Sequence, residues 1–336
     1  AYEKFVLART LLTYCEDPLN DAYLNLLFGS VMRCQAGSDP KQLKDARRVV
    51  IKARKAFRDL NHHRYAPRAT YELALIYLAL ADRDRCTDDL FRQYLARARK
   101  EADEVLRVSR ESKDARWISN ALVIESRIER KLGNFQEAIK LSTDARRAGI
   151  KQTLCKIDAL IAHAESNISW VKSEVERGAA GSTAGKHRIR LKRARKALAE
   201  ALKLNIRFTL ARSPESQNEK IESVCRLLIA RICVLENDQE QAKASFQRWK
   251  ELGGIEHQNI RELAVSVKSE IDALTKVFHI NPESDELVYD VLNRNLKTFL
   301  IETAKRKYPS NQTKQAKLLK INRQTLRNWE TKLREP

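Results

Sequence analysis

Turn-forming residues are scarce in this sequence. Glycine occurs 9 times and proline 7 times in 336 residues, where average usage would give those two roughly 12% of a chain. A chain so short of breakers, and rich in Ala, Leu, Lys, Arg and Glu, is most simply all-helical. Long apolar runs are absent too: none approaches the ~18 residues that a membrane-spanning helix needs, so no membrane partner is expected. The chain opens on Ala1 with no basic-then-apolar leader, and initiator removal or a missing upstream region would each explain that start. The cysteines Cys15, Cys34, Cys86, Cys155, Cys225 and Cys233 form no C-x-x-C pair and have no histidine at ligand spacing. We therefore expect reduced thiols serving as small buried hydrophobes in a cytoplasmic protein, and no metal site.

Enzyme signatures are also lacking. There is no G-x-S-x-G, no H-E-x-x-H and no His/Asp/Cys constellation at fixed spacing, so no catalytic residues and no cofactor are assigned and the chain is not expected to be an enzyme. His62-His63 reads as a surface pair at a helix end. Glu125 and Glu129 read as helix-face carboxylates satisfied by arginines three or four residues along. "GAAGSTAGKH" (178–187) imitates a phosphate-binding loop, but Ala180 stands for the first glycine and His187 for the hydroxyl residue that would hold Mg²⁺. We expect a flexible interhelical loop there.

What the sequence does have is positive charge, and it is concentrated. The formal net charge is +20; residues 294–336 and 186–212 each carry +9, leaving +2 for the other 266 residues. Patches of this kind attract polyanions. In "RIRLKRARKALAEAL" the stripe Leu191, Ala194, Leu198, Ala201 and Leu202 faces inward, with Arg188, Lys192, Arg195 and Lys196 mostly opposite. That helix has either an ordinary solvated face or a secondary phosphate-contacting patch, with no base reading implied.

From Phe5 to about Thr275 the chain reads as helix after helix. In 115–149 a first helix carries Ile118, Leu122 and Ile128, Gly133-Asn134 breaks it, and a second follows with Ala138, Ile139, Leu141 and Ala145 inward. Its "LGNFQEAI" resembles the junction of a tetratricopeptide (TPR) repeat, and 41–57, 190–205 and 236–252 resemble second helices of such hairpins. Marker residues Ala46, Ala98, Ala138, Ala194 and Ala242 are spaced by 52, 40, 56 and 48 residues, against ~34 in a strict TPR array. The resemblance implies TPR-like hairpins with long helices, stacked because one hairpin cannot bury its apolar face alone, and presenting a surface to a protein partner. An irregular helical bundle is the alternative.

After Thr275 the character changes. "VFHINPESDE" (277–286) reads as linker and N-cap, and "ELVYDVLNRNLKTFLIETAKRKY" (286–308) is a broad amphipathic helix able to pair with a second copy of itself. "NQTKQAKLLKINRQTLRNW" (311–329) then gives two short helices, the first from Gln312 to Leu319 with the small Ala316, the second from Arg323 to about Leu333 anchored by Leu326 and Trp329, with Ile321 in the turn. Asn311, Gln312, Thr313, Ala316, Leu319, Ile321, Asn322, Arg323, Thr325 and Leu326 fall in register with the C-terminal helix-turn-helix of the Fis family, which this segment resembles over about 50 residues. One departure is Lys320, where the family keeps a turn glycine; a lysine at φ > 0 costs about 1 kcal/mol.

The resemblance implies roles. Asn311 and Thr313 would hold a phosphate; Asn322, Arg323, Thr325, Arg327 and Asn328 would face the major groove and its flanks, with Lys320 adding a cation beside them. Arg323 is the guanine-reading candidate, while Arg327 and Lys332 touch phosphates. The expected architecture is all-α: a TPR-like α-solenoid of helical hairpins (1–276), a linker (277–285) and a Fis-type helix-turn-helix domain (286–336). The expected function is double-stranded DNA binding by a bacterial transcription regulator or the DNA-binding subunit of an assembly, with a protein partner on the body, homodimerisation through 286–308 and nucleoid association. The alternatives are a scaffold whose tail serves docking, or RNA binding through the two basic patches.

Overall fold

Aspartate followed by proline opens the first two helices of the computed structural model, which describes residues 17–37, 39–62, 65–81, 86–177, 180–211, 217–252, 258–278, 301, 312–319 and 323–332. In α1 (Pro18–Ala36) the Asp17 carboxylate accepts from the Leu19 and Asn20 amides at 3.0 and 3.1 Å, and in α2 (Pro40–Asp59) Asp39 accepts from Lys41 at 2.9 Å. Each cap satisfies amide donors that a helix start leaves unpaired, and proline suits the first turn because its missing N–H is not needed there. The chain continues through α3 (Ala66–Leu80), α4 (Asp88–Glu111), α5 (Ala115–Leu132), α6 (Phe135–Ala148) and α7 (Thr153–Glu176). It goes on through α8 (Ala180–Ala211), α9 (Gln217–Leu235), α10 (Gln239–Glu251) and α11 (Gln258–Phe278). Near the C-terminus lie α12 (Gln312–Leu318) and α13 (Arg323–Lys332). No strand occurs among the described residues.

Packing separates the body into two layers. Every odd-numbered helix from α1 to α9 meets the next odd-numbered one, whereas no two even-numbered helices up to α10 approach backbone to backbone among the described residues. The odd helices are therefore the tight layer and the even ones back it. The cycle also closes, because α11 meets α1. Cross-helix ion pairs link this layer: Arg33–Glu72 at 2.5 Å joins α1 to α3, Arg130–Glu165 at 3.2 Å joins α5 to α7. Glu270 of α11 receives both Lys172 of α7 at 2.8 Å and Arg231 of α9 at 2.9 Å.

Each even helix is seated through a small residue. Ala46, Ala98, Ala138, Ala194 and Ala242, one in each of α2, α4, α6, α8 and α10, have no exposed surface. Where α1 crosses α2 the approach is closest: a Cβ on Gly29 would lie 2.3 Å from Val50 Cγ2. Between α5 and α6, Gly133 adopts φ 88° and its amide reaches the Arg130 carbonyl, ending the helix in the left-handed conformation that a side chain resists.

Three expectations are corrected. Residues 180–187 are not a loop: they form the first two turns of α8, because no proline interrupts them and the strong helix formers after His187 propagate backwards. The Glu129 carboxylate pairs with Arg99 of the neighbouring α4, and Glu125 is pushed up to about 7 by burial and then by Asp103 of α4, so cross-helix groups set both rather than i+3 or i+4 arginines. His62 is half-buried and stacks on Tyr65 with ring centroids 4.8 Å apart, so it is not a free surface side chain. Of the cysteines, Cys155, Cys225 and Cys233 are buried and Cys34 and Cys86 half-buried, all with free thiols; Cys15 lies outside the described residues.

Candidate nucleic-acid interface

Seven residues make α12 and ten make α13. Helices this short are unstable alone in water, so a shared apolar contact has to hold them. Leu326 of α13 is wholly buried against Ala316 of α12 and Ile301, with Leu319 packed beside them. Ala316 has no side chain beyond Cβ, so α13 can cross close to α12. A polar link accompanies this contact, since the Arg327 Nε donates to the Gln312 Oε1 at 3.4 Å.

The groups opposite that contact point to solvent. Thr313, Gln324, Arg327 and Asn328 are exposed and Thr325 is half-buried; Gln324 donates to the Asn328 Oδ1 at 3.2 Å, one turn along α13. Arg323 and Lys332 are the first and last residues of α13. Asn311, Lys320, Ile321 and Asn322 lie outside the described residues, as does 286–308 apart from Ile301. The linker expected at 277–285 overlaps the end of α11, which runs to Phe278. No body helix touches α12 or α13 among the described residues.

The second basic segment is α8. Leu191, Ala194, Leu198 and Ala201 are buried and Leu202 half-buried, which is the expected inward stripe. Its cations divide by partner. Arg188 and Lys192 are exposed, and so is Lys196. Arg195 instead turns to Glu236 at the end of α9, with Cys233 Sγ at 3.7 Å, and so acts as an interhelical tie. Arg190 is equally committed: its guanidinium lies 3.5 Å from the Trp170 ring centre and 3.1 Å from Glu174, which also meets His187 Nε2 at 2.8 Å. No periodicity argument could identify these ties, because the partners lie 13 to 41 residues away in sequence. The body thus ties up Arg190 and Arg195 and leaves Arg188, Lys192 and Lys196 of the expected patch exposed, with Arg193 exposed beside them. No family model matches the chain, and no curated protein matches it.

Proposed function

We propose that this chain is a duplex-DNA-binding protein that grips DNA with α12 and α13 in the manner of a Fis-type helix-turn-helix, carried on a TPR-like stack that binds a protein partner. The observation that carries the reading is the Leu326–Ala316–Ile301 contact with the polar and cationic surface of α13 left outward. A recognition helix needs that division: one apolar side to fix its angle, one donor-rich side for base edges and phosphates. The charge of +9 on residues 294–336 supports the same reading, because phosphate neutralisation supplies much of the affinity for a duplex. The TPR-like description of the body rests on the five buried alanines and the two-layer packing. Transcriptional regulation and dimerisation through 286–308 follow as corollaries, since paired readers match two half-sites.

The test is a salt-titrated duplex-binding assay on the full chain and on residues 1–282. Binding by the full chain should weaken steeply with salt, and the shortened chain should lose it. Arg323→Ala should cost about 1–3 kcal/mol and relax sequence preference at one position. Unchanged binding by residues 1–282 would transfer the activity to α8. A full chain with no duplex affinity, yet with a stable protein partner held by residues 1–282, would favour the scaffold reading.

A further inference from the structure

A cleft of about 170 Å³ opens where α6, α7 and α8 meet. It lies below the ~300 Å³ at which sites for drug-sized ligands begin, so it suits a small group. Its polar lining is cationic: Arg146 comes from α6, Arg193 and Lys196 from α8. The Ser142 and Thr143 hydroxyls of α6 and the His163 ring of α7 complete it.

The charges do not cancel. The cleft holds one carboxylate, Glu200, and that is already bound by Lys156 at 2.8 Å, with Arg146 more distant at 3.9 Å. Neither Arg193 nor Lys196 has a carboxylate within ion-pair distance among the described residues. Three cations therefore converge on a concave site whose one carboxylate is shared between Lys156 and Arg146. Like charges held together raise the free energy of the empty site, and a bound dianion relieves it.

We propose that this cleft binds a phosphate group, either inorganic phosphate or the phosphoryl end of a small phosphomonoester, with Arg146, Arg193 and Lys196 as its charge partners. Two arginines and a lysine match the oxygens of a phosphate, the arginines through paired N–H donors and the lysine as a point charge. The hydroxyls of Ser142 and Thr143 each donate to the Ile139 carbonyl at 2.8 Å, so their protons are committed and the donors to an anion are the three cationic side chains. The site stands independently of α12 and α13, so it makes the body a sensor of a small anion whatever the tail binds.

His163 supplies a readout. Its Nδ1 lies 3.3 Å from Ser142 Oγ. Burial depresses its pKa, Arg146 and Arg193 depress it further, and a hydrogen bond to the Ile139 backbone opposes them. The groups facing it are Arg146 from α6 and Arg193, Lys196 and Glu200 from α8. A phosphate seated among these cations reverses their effect, so the imidazole should protonate at higher pH when the site is filled.

The experiment is an NMR pH titration of His163 in the 336-residue chain, in chloride and then in inorganic phosphate at matched ionic strength. The His163 midpoint should rise by about one pH unit with saturable phosphate dependence, and an Arg193→Gln/Lys196→Gln variant should weaken phosphate binding at least tenfold. Both replaced side chains are exposed and make no ion pair, so the variant should fold, and an unchanged midpoint in chloride-buffered thermal unfolding verifies that. A His163 midpoint indifferent to phosphate overturns the proposal. So does a variant that binds phosphate as the parent does. If phosphate is silent while the same variant weakens duplex binding, the cations serve a nucleic-acid backbone and the small-anion site is refuted.

Discussion

Glu125 shows how far a single residue's behaviour is set by the neighbouring helix. Burial first, and the Asp103 carboxylate second, push its pKa up to about 7, while Arg110 and Arg99 oppose the shift. The native protein holds this proton up to about pH 7, whereas the unfolded chain releases it near the ordinary carboxylate value of about 4.3. Between those values folding takes up a proton, so the contribution of Glu125 to stability falls as pH rises through that window and stays low above it. Glu125→Gln keeps a donor for Asp103 and removes the buried charge. The variant should be more stable than the parent at pH 8, by about 1–2 kcal/mol after allowance for solvent screening, and equal to it near pH 4. Denaturant melts at the two pH values decide this; a variant less stable at pH 8 would show that the carboxylate is favourably held. The same scale bears on Lys320, because this chain already places Lys113 at φ 54° between α4 and α5. A lysine in a left-handed turn is thus a tolerated cost here, about 1 kcal/mol.

Elements in this protein are fixed by close approach at small residues, and the closest is α1 on α2. A Cβ added to Gly29 meets Val50 Cγ2 at 2.3 Å and the Ala46 carbonyl at 3.4 Å. Val50 is β-branched and wholly buried, so it has few rotamers with which to yield. Gly29→Ala should therefore destabilise by about 1–3 kcal/mol, and Val50→Ala in the same chain should recover part of that loss. A double variant as unstable as the sum of the two singles would mean that the crossing is not the cause. This logic also explains what was legible beforehand. Alanine recurring among longer apolar residues marked α2, α4, α6, α8 and α10, because a helix seated on another must lose its side chain at the crossing. The short apolar set Ala316, Leu319 and Leu326 marked α12 and α13 for the same reason. The start of α8 was not legible, since its glycines carry a turn signal that local helix propensity outweighed. Nor were the Arg195–Glu236, Arg99–Glu129 and Lys172–Glu270 pairs, nor the meeting of Arg146 with Arg193. These join residues 30 to 98 positions apart, and a single sequence carries no signal of which distant charges meet.

At the scale of the whole molecule the consequential contact is α11 on α1. In an open stack of hairpins each unit feels only its neighbours, so losing the last helix leaves the first undisturbed. Here the layer of odd-numbered helices returns on itself, with α11 tied to α7 and α9 through Glu270 and meeting α1. Opening of the first hairpin should then depend on a helix more than 220 residues away in sequence. Backbone amide exchange measures it. Removing 258–336 should speed exchange in Pro18–Ala36 as well as in α9 and α10, whereas removing only 283–336, which leaves α11 in place, should change exchange at α1 little. Faster exchange confined to α9 and α10 would show that the α1–α11 contact carries no stability and that the body behaves as an open array. Closure also matters for the phosphate cleft, because α7 contributes both His163 to the cleft and Lys172 to the Glu270 tie. An anion that orders α6, α7 and α8 should slow exchange at α11 through that tie, and the Arg193→Gln/Lys196→Gln variant should lose the effect while keeping the basal exchange of the parent.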